Sequence, residues 1–99
     1  VEHSDLIRYE WARLPHFYTS YYVYKYATGI TTAVSIANNI LTRGEAYFEK
    51  YKQFLSAGGS LPPLDIIRLA DVDLESDAPY KTAMKEFADT LDELEKSFE

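Results

Sequence analysis

Tyrosine and histidine side chains are concentrated in one stretch of the sequence, from His16 to Tyr26. Five of the nine tyrosines and one of the two histidines fall within these eleven positions. Phenol and imidazole groups donate hydrogen bonds, and a buried phenol hydroxyl must find a partner. The stretch therefore predicts a surface that presents donors to a ligand. The alternative, which residue chemistry alone favours, is an aromatic helix face that packs in a core with its hydroxyls in water.

A long helix over residues 15–41 is predicted to carry this stretch. Its apolar residues recur at helical spacing and predict a core face: Val23, Tyr26, Ala27, Ile30, Ala33, Val34, Ala37, Ile40 and Leu41. The opposite side has aromatic, small and hydroxyl side chains without charge: Phe17, Tyr21, Tyr24, Thr28, Thr31, Thr32 and Ser35.

A helix side that faces solvent normally carries charged residues, so the uncharged side is expected to be buried or to line a cleft. We therefore expect the chain to be part of a larger structure or to associate with one. A loosely solvated, threonine-rich face is the alternative.

The rest of the chain is also predicted to be helical. A helix over residues 4–13 ends before Pro15, because proline disfavours helical geometry in the residue ahead of it. Local signals predict three more helices. The first begins at a capping box over residues 42–45 and ends before Gly58 and Gly59. Pro62 and Pro63 start a short helix that runs to Ala70, and Asp77 caps the last helix.

The first of these three helices is predicted to bury Tyr47, Phe48, Tyr51, Phe54 and Leu55. The last is predicted to bury Tyr80, Met84, Phe87, Leu91, Leu94 and Phe98. The fold class is therefore all-α, with about four to five helices in a single segment over residues 1–99.

Composition limits the classes of function. The net charge of -6 and the dispersed basic residues argue against nucleic-acid binding. The chain has no cysteine, and no run of residues long and apolar enough to predict a membrane span or a signal sequence. We expect a cytoplasmic protein without a membrane partner.

The sequence predicts no metal site within the chain. His3 and His16 are thirteen residues apart, and neither has a second histidine one helical turn away. Residues 71–77 alternate acids in the manner of a calcium loop. However, Ser76 stands where the turn of such a loop requires glycine, and Thr82 stands where it requires glutamate.

Two further strings in the first third of the chain, residues 13–18 (RLPHFY) and residues 22–29 (YVYKYATG), resemble the carboxy-terminal signature of oligoendopeptidase F. This family consists of zinc metallopeptidases related to thimet oligopeptidase. The resemblance continues through residues 51–59 (YKQFLSAGG), the Pro-Pro turn and the acidic last helix, and so covers nearly the whole chain. Members of the family are several-fold longer and carry their zinc motif, His-Glu-x-x-His, upstream of this signature. No such motif is present here.

The resemblance implies that the chain is the carboxy-terminal part of an enzyme that hydrolyses short peptides, with zinc ligands outside these residues. In this family a zinc ion activates the attacking water, while histidine and tyrosine side chains of the signature bind substrate and stabilise the oxyanion. Carried over residue by residue, this makes His16 a substrate-orienting donor and Tyr24 the oxyanion donor. Tyr18, Tyr21 and Tyr22 become substrate-binding candidates.

A helical interaction module is the alternative function. In that case the aromatic groove would capture a partner helix or peptide without catalysis, and self-association would be a further possibility. The gene can decide between the two functions. A reading frame that encodes His-Glu-x-x-His upstream of Val1 would indicate the enzyme, whereas a natural start codon just before Val1 would indicate the module.

Overall fold

The described part of the chain begins with two 3₁₀ segments, Asp5–Arg13 and Pro15–Tyr18, in the computed structural model, which describes residues 4–98. Ser4 precedes the first segment, and its hydroxyl accepts a hydrogen bond from the amide of Leu6 at 3.3 Å. Leu14 separates the two segments in an extended conformation, as a residue before proline prefers. The predicted break at Leu14 and Pro15 is confirmed. His3 lies outside the described residues.

Four α-helices follow: α1 (Tyr24–Arg43), α2 (Glu45–Ser56), α3 (Pro63–Arg68) and α4 (Ala78–Lys96). The all-α prediction is confirmed. Helix α1 packs against α2 and α4, and α2 contacts α3. Gly44 joins α1 to α2 at φ 65°, and Gly58 lies at φ 53° just past the end of α2. Glycine suits both positions because it has no Cβ to clash in the left-handed region.

The predicted start of the long helix at Pro15 is wrong. Helix α1 begins nine residues later, at Tyr24, and an irregular turn separates it from the second 3₁₀ segment. Tyr21 has φ 58° in this turn. A residue in the left-handed region cannot continue a right-handed helix, so the aromatic stretch is divided into two pieces that meet at an angle.

Two predicted side-chain caps do not form, although Asp77 does occupy the N-cap position of α4. The Thr42 hydroxyl does not cap α2 but donates to the carbonyl of Asn38 at 2.7 Å, within α1. The Asp77 carboxylate does not bond to the first turn of α4, because it pairs with Lys81 at 2.5 Å. Thr42 lies within α1, two residues before Gly44 at the N-cap of α2, and Asp77 has a cationic partner one turn away that competes with the exposed backbone amides.

A small apolar core joins α1, α2 and the segment after α3. Its buried residues are Ile36, Tyr47, Ala70 and Val72, and Ile40, Tyr51, Phe54, Ile67 and Leu74 pack around them. The hydroxyl of Tyr47 donates to the carbonyl of Ala70 at 2.5 Å, so this buried phenol has a partner. The inward positions predicted for Tyr47, Tyr51 and Phe54 agree with this core, whereas Phe48 and Leu55 are exposed.

The face of α1 that was expected to be buried in the core is largely exposed. Ile30 and Leu41 expose 64% and 85% of their surface, while Thr31 and Ser35, on the predicted uncharged side, are each only 6% exposed. The apolar residues predicted to be buried in the last helix are exposed as well: Tyr80, Met84, Phe87, Leu91, Leu94 and Phe98. Helical spacing identified the apolar positions correctly, but no described element covers them.

The segment is much more open than a compact domain of its length. Its radius of gyration is 18.0 Å, against about 13 Å for a compact domain of this size. Its accessible surface is 8065 Å², against about 5,800 Å² for a compact monomer of this mass. Within residues 4–98, no helix is long and apolar enough to cross a membrane.

Candidate functional site

The turn before α1 brings three aromatic side chains together. His16 lies in the second 3₁₀ segment, Tyr22 in the turn and Tyr26 in the first two turns of α1. The His16 ring stacks on Tyr22 with centroids 5.1 Å apart and contacts Tyr26 at 5.8 Å. The two tyrosine rings meet edge to face at 5.8 Å. We call His16, Tyr22 and Tyr26 the aromatic cluster.

The two phenols of the aromatic cluster share a hydrogen bond, with 3.3 Å between the oxygens of Tyr22 and Tyr26. Either hydroxyl can be the donor. The bond to Tyr22, followed by repulsion between two phenolates, raises the pKa of Tyr26 above its ordinary value. The cluster therefore keeps Tyr26 in its protonated, hydrogen-bonding form to higher pH than an isolated tyrosine.

Tyr24 lies outside this cluster and faces a cavity of about 950 Å³ between α1, α2 and α3. The cavity walls are mostly apolar and include Ile36, Ile40, Phe54, Leu64, Ile67 and Leu74, with Thr28 and Thr32 beside Tyr24. Tyr24 is 60% exposed. Among residues 4–98, no hydrogen-bond partner occupies its hydroxyl, which is free to donate to a ligand.

The uncharged side of α1 is partly buried and partly lines a cavity, which are the two surroundings expected from the sequence. Tyr24, Thr28 and Thr32 line the cavity, whereas Thr31 and Ser35 are buried. The hydroxyls of Thr28 and Thr32 donate to carbonyls one turn earlier, at 2.7 and 2.8 Å. The cavity consequently has few unsatisfied donors, and the Tyr24 hydroxyl is among them.

The other two sequence candidates are positioned differently. Tyr18 donates its hydroxyl to the carbonyl of Ala12 at 2.6 Å, which ties the second 3₁₀ segment back to the first. The Tyr21 side chain is 88% exposed. The structure thus brings His16 and Tyr22 together, whereas Tyr18, Tyr21 and Tyr24 each have separate surroundings.

Tyr26 is a partner of His16 that the sequence does not predict. Helical spacing places Tyr26 in the core stripe, but the ring is 57% exposed and contacts His16 and Tyr22. The spacing held the necessary signal, because residues four apart share one side of a helix and Tyr22 precedes Tyr26 by four. Predicting the contact with His16 required knowing that the chain turns between the second 3₁₀ segment and α1.

An ionic junction joins the end of α1 and the middle of α2 to the segment after α3. Asp71 accepts from Lys50 at 2.6 Å and from Arg43 at 2.9 Å. These cations, Lys50 first and then Arg43, lower the pKa of the Asp71 carboxyl below its ordinary value. Arg43 also lies 4.9 Å from the centroid of the buried Tyr47 ring. The junction therefore supports the wall of the cavity that α2 and α3 form.

The described residues do not fit a zinc site. Across residues 4–98, no three or more histidine, cysteine, aspartate or glutamate side chains come together in a group that could hold a metal ion. Two acids of the calcium-like string are engaged with cations, Asp71 as described and Asp73 with Arg68 at 3.2 Å. Residues 4–98 therefore form no complete metal site by themselves.

Comparison with known proteins identifies close relatives. The model of a family described as Peptidase family M3 matches residues 2–86. "Oligopeptidase PepF" of Bacillus subtilis is 45% identical over 87 residues, which are 88% of this chain and 13% of that protein. "Oligoendopeptidase F, plasmid" of Lactococcus lactis subsp. cremoris is 43% identical over 99 residues, all of this chain and 16% of that protein.

A more distant relative is similar over the same extent. "Oligoendopeptidase F homolog" of Borreliella burgdorferi is 38% identical over 99 residues, which are 17% of that protein. The chain thus spans about one sixth or less of the length of these curated relatives. No solved structure gives a significant match.

Proposed function

This chain belongs to peptidase family M3, and we propose that it forms the carboxy-terminal part of a zinc-dependent oligopeptidase that hydrolyses short peptides. The names of the relatives support a peptidase that acts on oligopeptides. The catalytic zinc and its ligands would belong to the rest of the parent protein, because the described residues do not fit a metal site. When bound there, zinc supplies the activation of water that peptide hydrolysis requires.

The free hydroxyl of Tyr24 is the observation that carries this proposal. The hydroxyls of Tyr18, Tyr47 and Tyr80 donate to backbone carbonyls, and those of Tyr22 and Tyr26 bond to each other. Tyr24 and Tyr51, in contrast, line the apolar cavity and donate to no group among residues 4–98; of the two, Tyr24 is 60% exposed, whereas Tyr51 packs against the core. A phenol is neutral near pH 7, and in a site with little water it stabilises a developing negative charge more than a neutral carbonyl.

His16 and the remaining tyrosines have supporting roles in the proposal. His16 would hold the peptide backbone by a hydrogen bond, with its ring oriented by the stack on Tyr22. Tyr22 would contact the substrate through the exposed part of its ring. Tyr18 and Tyr21 would bind the substrate through ring surface, which suits them because both rings are largely exposed.

The open shape of the segment supports its place within a longer protein. More than twenty large apolar side chains are exposed, including the whole apolar face of α4. Exposed apolar surface on this scale is unusual for an independent monomer. The remainder of the parent chain would cover it, and would bring the zinc site towards Tyr24 and His16.

The cavity also favours a second function, that of a helical module that captures an apolar peptide without catalysis. Its volume of about 950 Å³ is within the range of ligand sites. The gene distinguishes the two functions, because only the enzyme requires His-Glu-x-x-His in the same reading frame upstream.

The direct test uses the full-length parent protein. We expect it to contain zinc, to cleave short peptides, to lose this activity on chelation and to regain it when zinc is restored. A parent protein that binds peptides at this site but cleaves none of them, with or without zinc, would establish the module instead.

A further inference from the structure

Lys25 stands out among the side chains around the cavity. Of the described residues that line it, Lys25 alone carries a charge. Its ammonium nitrogen lies 5.0 Å from the centroid of the Tyr22 ring, within the range of a cation–π contact. Lys25 therefore lies between the aromatic cluster and the cavity that Tyr24 lines.

The charge of Lys25 has no counter-ion among residues 4–98. Other cations near the cavity are paired, Arg43 and Lys50 with Asp71, and Arg68 with Asp65, Asp73 and Glu75. Lys25 forms no such pair, and the first turn of α1 contains no acidic residue. An unpaired ammonium beside low-dielectric walls attracts an anion more strongly than one surrounded by water.

We propose that Lys25 binds a carboxylate of the peptide substrate, and this rests on the proposed function. The ammonium group has three donors and no acceptor, so it selects acceptor groups with negative charge. The anionic groups of an unmodified peptide are its terminal carboxylate and its acidic side chains. Both offer Lys25 the same chemistry.

The position of Lys25 gives this contact a consequence for substrate length. Lys25 directly follows Tyr24, and the Cα atoms of neighbouring residues are about 3.8 Å apart. An extended peptide advances about 3.3 Å per residue. A terminal carboxylate on Lys25 would therefore place a peptide bond only a few residues from the chain end beside Tyr24. Substrates whose termini lie far from the scissile bond would not gain this contact.

Tyr22 would fix the ammonium group for this purpose. The Lys25 side chain is flexible, and its contact with the Tyr22 ring restricts it at the edge of the cavity. Because Tyr22 also stacks on His16, the carboxylate contact and the substrate-orienting histidine are coupled through one ring. The same ring would thus align two contacts to one peptide.

The test measures equilibrium binding of peptides to the full-length parent protein, treated with a chelator so that the peptides remain intact. The first peptide pair differs only in a free or an amidated carboxyl terminus. The second pair, amidated in both members, differs in one internal glutamate or glutamine. We expect wild-type protein to bind the carboxylate member of one pair roughly 2- to 5-fold more tightly, the range of a partly solvated ion pair. A preference within the first pair would identify the terminal carboxylate as the group that Lys25 binds, and a preference within the second pair would identify an acidic side chain.

Lys25→Met should abolish this preference, and Lys25→Arg should retain most of it. Lys52→Met is the matched control, because Lys52 also lies over an aromatic ring, 5.1 Å from the Phe48 centroid, but pairs with Glu49 outside the cavity lining. It should leave the preference unchanged. High salt should reduce the wild-type preference.

Two results would overturn the inference: equal binding of both members of each pair by wild-type protein, or a preference that survives in Lys25→Met. Failure of the proposed peptidase function would be a different result from failure of the Lys25 contact. A parent protein that cleaves no peptide but keeps a Lys25-dependent carboxylate preference would support this contact and remove the peptidase proposal.

Discussion

The phenol oxygens of Tyr22 and Tyr26 lie 3.3 Å apart, and His16 contacts both rings. This relationship makes the three residues interdependent. Tyr22 stands before the first residue of α1 and Tyr26 within its first turn, so the hydrogen bond spans the junction of the turn with the helix. A substitution at Tyr22 should therefore be detectable at Tyr26.

We predict that Tyr22→Phe lowers the pKa of Tyr26 towards its ordinary value of 10.0, because the hydrogen bond to Tyr22 is the main cause of the raised value. The raised pKa also sets the sign of a pH dependence. The contribution of Tyr26 to stability is fully present below its unfolded pKa and is lost as the pH rises through the higher folded value. Ultraviolet titration of the full-length parent protein, compared between wild type and variant, measures the change. An unaltered Tyr26 titration would contradict the contact.

We predict that Tyr24→Phe lowers kcat of the parent enzyme by roughly 10²- to 10³-fold, the scale of losing one oxyanion donor. Zinc content and the unfolding midpoint should barely change, because the Tyr24 hydroxyl bonds to no other residue between 4 and 98. A rise in KM at constant kcat would reassign the hydroxyl to substrate recognition.

Tyr9→Phe is the control for this experiment. The Tyr9 ring is exposed in the first 3₁₀ segment and contacts Arg8, and it lies outside the cavity lining. Tyr26→Phe is unsuitable as a control, because Tyr26 belongs to the aromatic cluster. Equally mild effects of Tyr24→Phe and Tyr9→Phe would refute the catalytic role of Tyr24.

We predict that Asp71→Asn weakens the ionic junction by about 1 kcal/mol, since the carboxylate is partly solvated and screened. Asparagine tolerates the left-handed conformation of this residue, φ 52°, so the variant isolates the charge. Hydrogen exchange of the α2 and α3 amides in the full-length parent measures the effect. Glu49→Gln, which removes an exposed ion pair within α2, is the control and should have a smaller effect.

The same junction should weaken at low pH. The Asp71 pKa is lowered from 3.8, so its contribution is present above this unfolded value and is lost as the pH falls through the lower folded value. The difference between wild type and Asp71→Asn should therefore shrink under strongly acidic conditions. A difference that stays constant across this range would contradict the role of the charge.

We predict that the isolated 99-residue chain binds no stoichiometric zinc, cleaves no peptide, and either self-associates or binds an apolar dye. The physical reason for the last expectation is the apolar surface exposed on α4 and α1. Light scattering and dye fluorescence measure it. A monodisperse monomer without a dye response, or one tightly bound zinc ion per chain, would argue against a segment of a larger enzyme.

Local sequence signals predicted much of the fold. Pro15, Pro63 and Gly58 act through their own backbone geometry, and each lies at or next to a helix boundary as expected. The predicted side-chain caps did not form because α1 extends through Thr42, whose hydroxyl donates to the Asn38 carbonyl, and because Asp77 pairs with Lys81; sequence spacing decides neither choice.

Which face of each helix is buried could not be predicted, for a different reason. Periodicity correctly grouped Ile30 with Leu41 and Met84 with Phe87, but burial depends on what packs against the helix. Within residues 4–98 nothing covers these groups. The candidate site shows the same limit: the donors were identified by residue type, whereas the His16–Tyr26 contact arises from a turn that the helical pattern concealed.

The left-handed backbone conformation of Tyr21 has an energetic cost. A tyrosine at φ 58° is less stable there than glycine would be, by about 1 kcal/mol. Its ring is 88% exposed, so no burial within the segment offsets this strain. Taken alone, the segment would be more stable with glycine at this position. In the proposed parent protein, a contact of the Tyr21 ring with the rest of the chain or with the substrate would offset this strain, and the strained residue would mark the side from which that partner approaches.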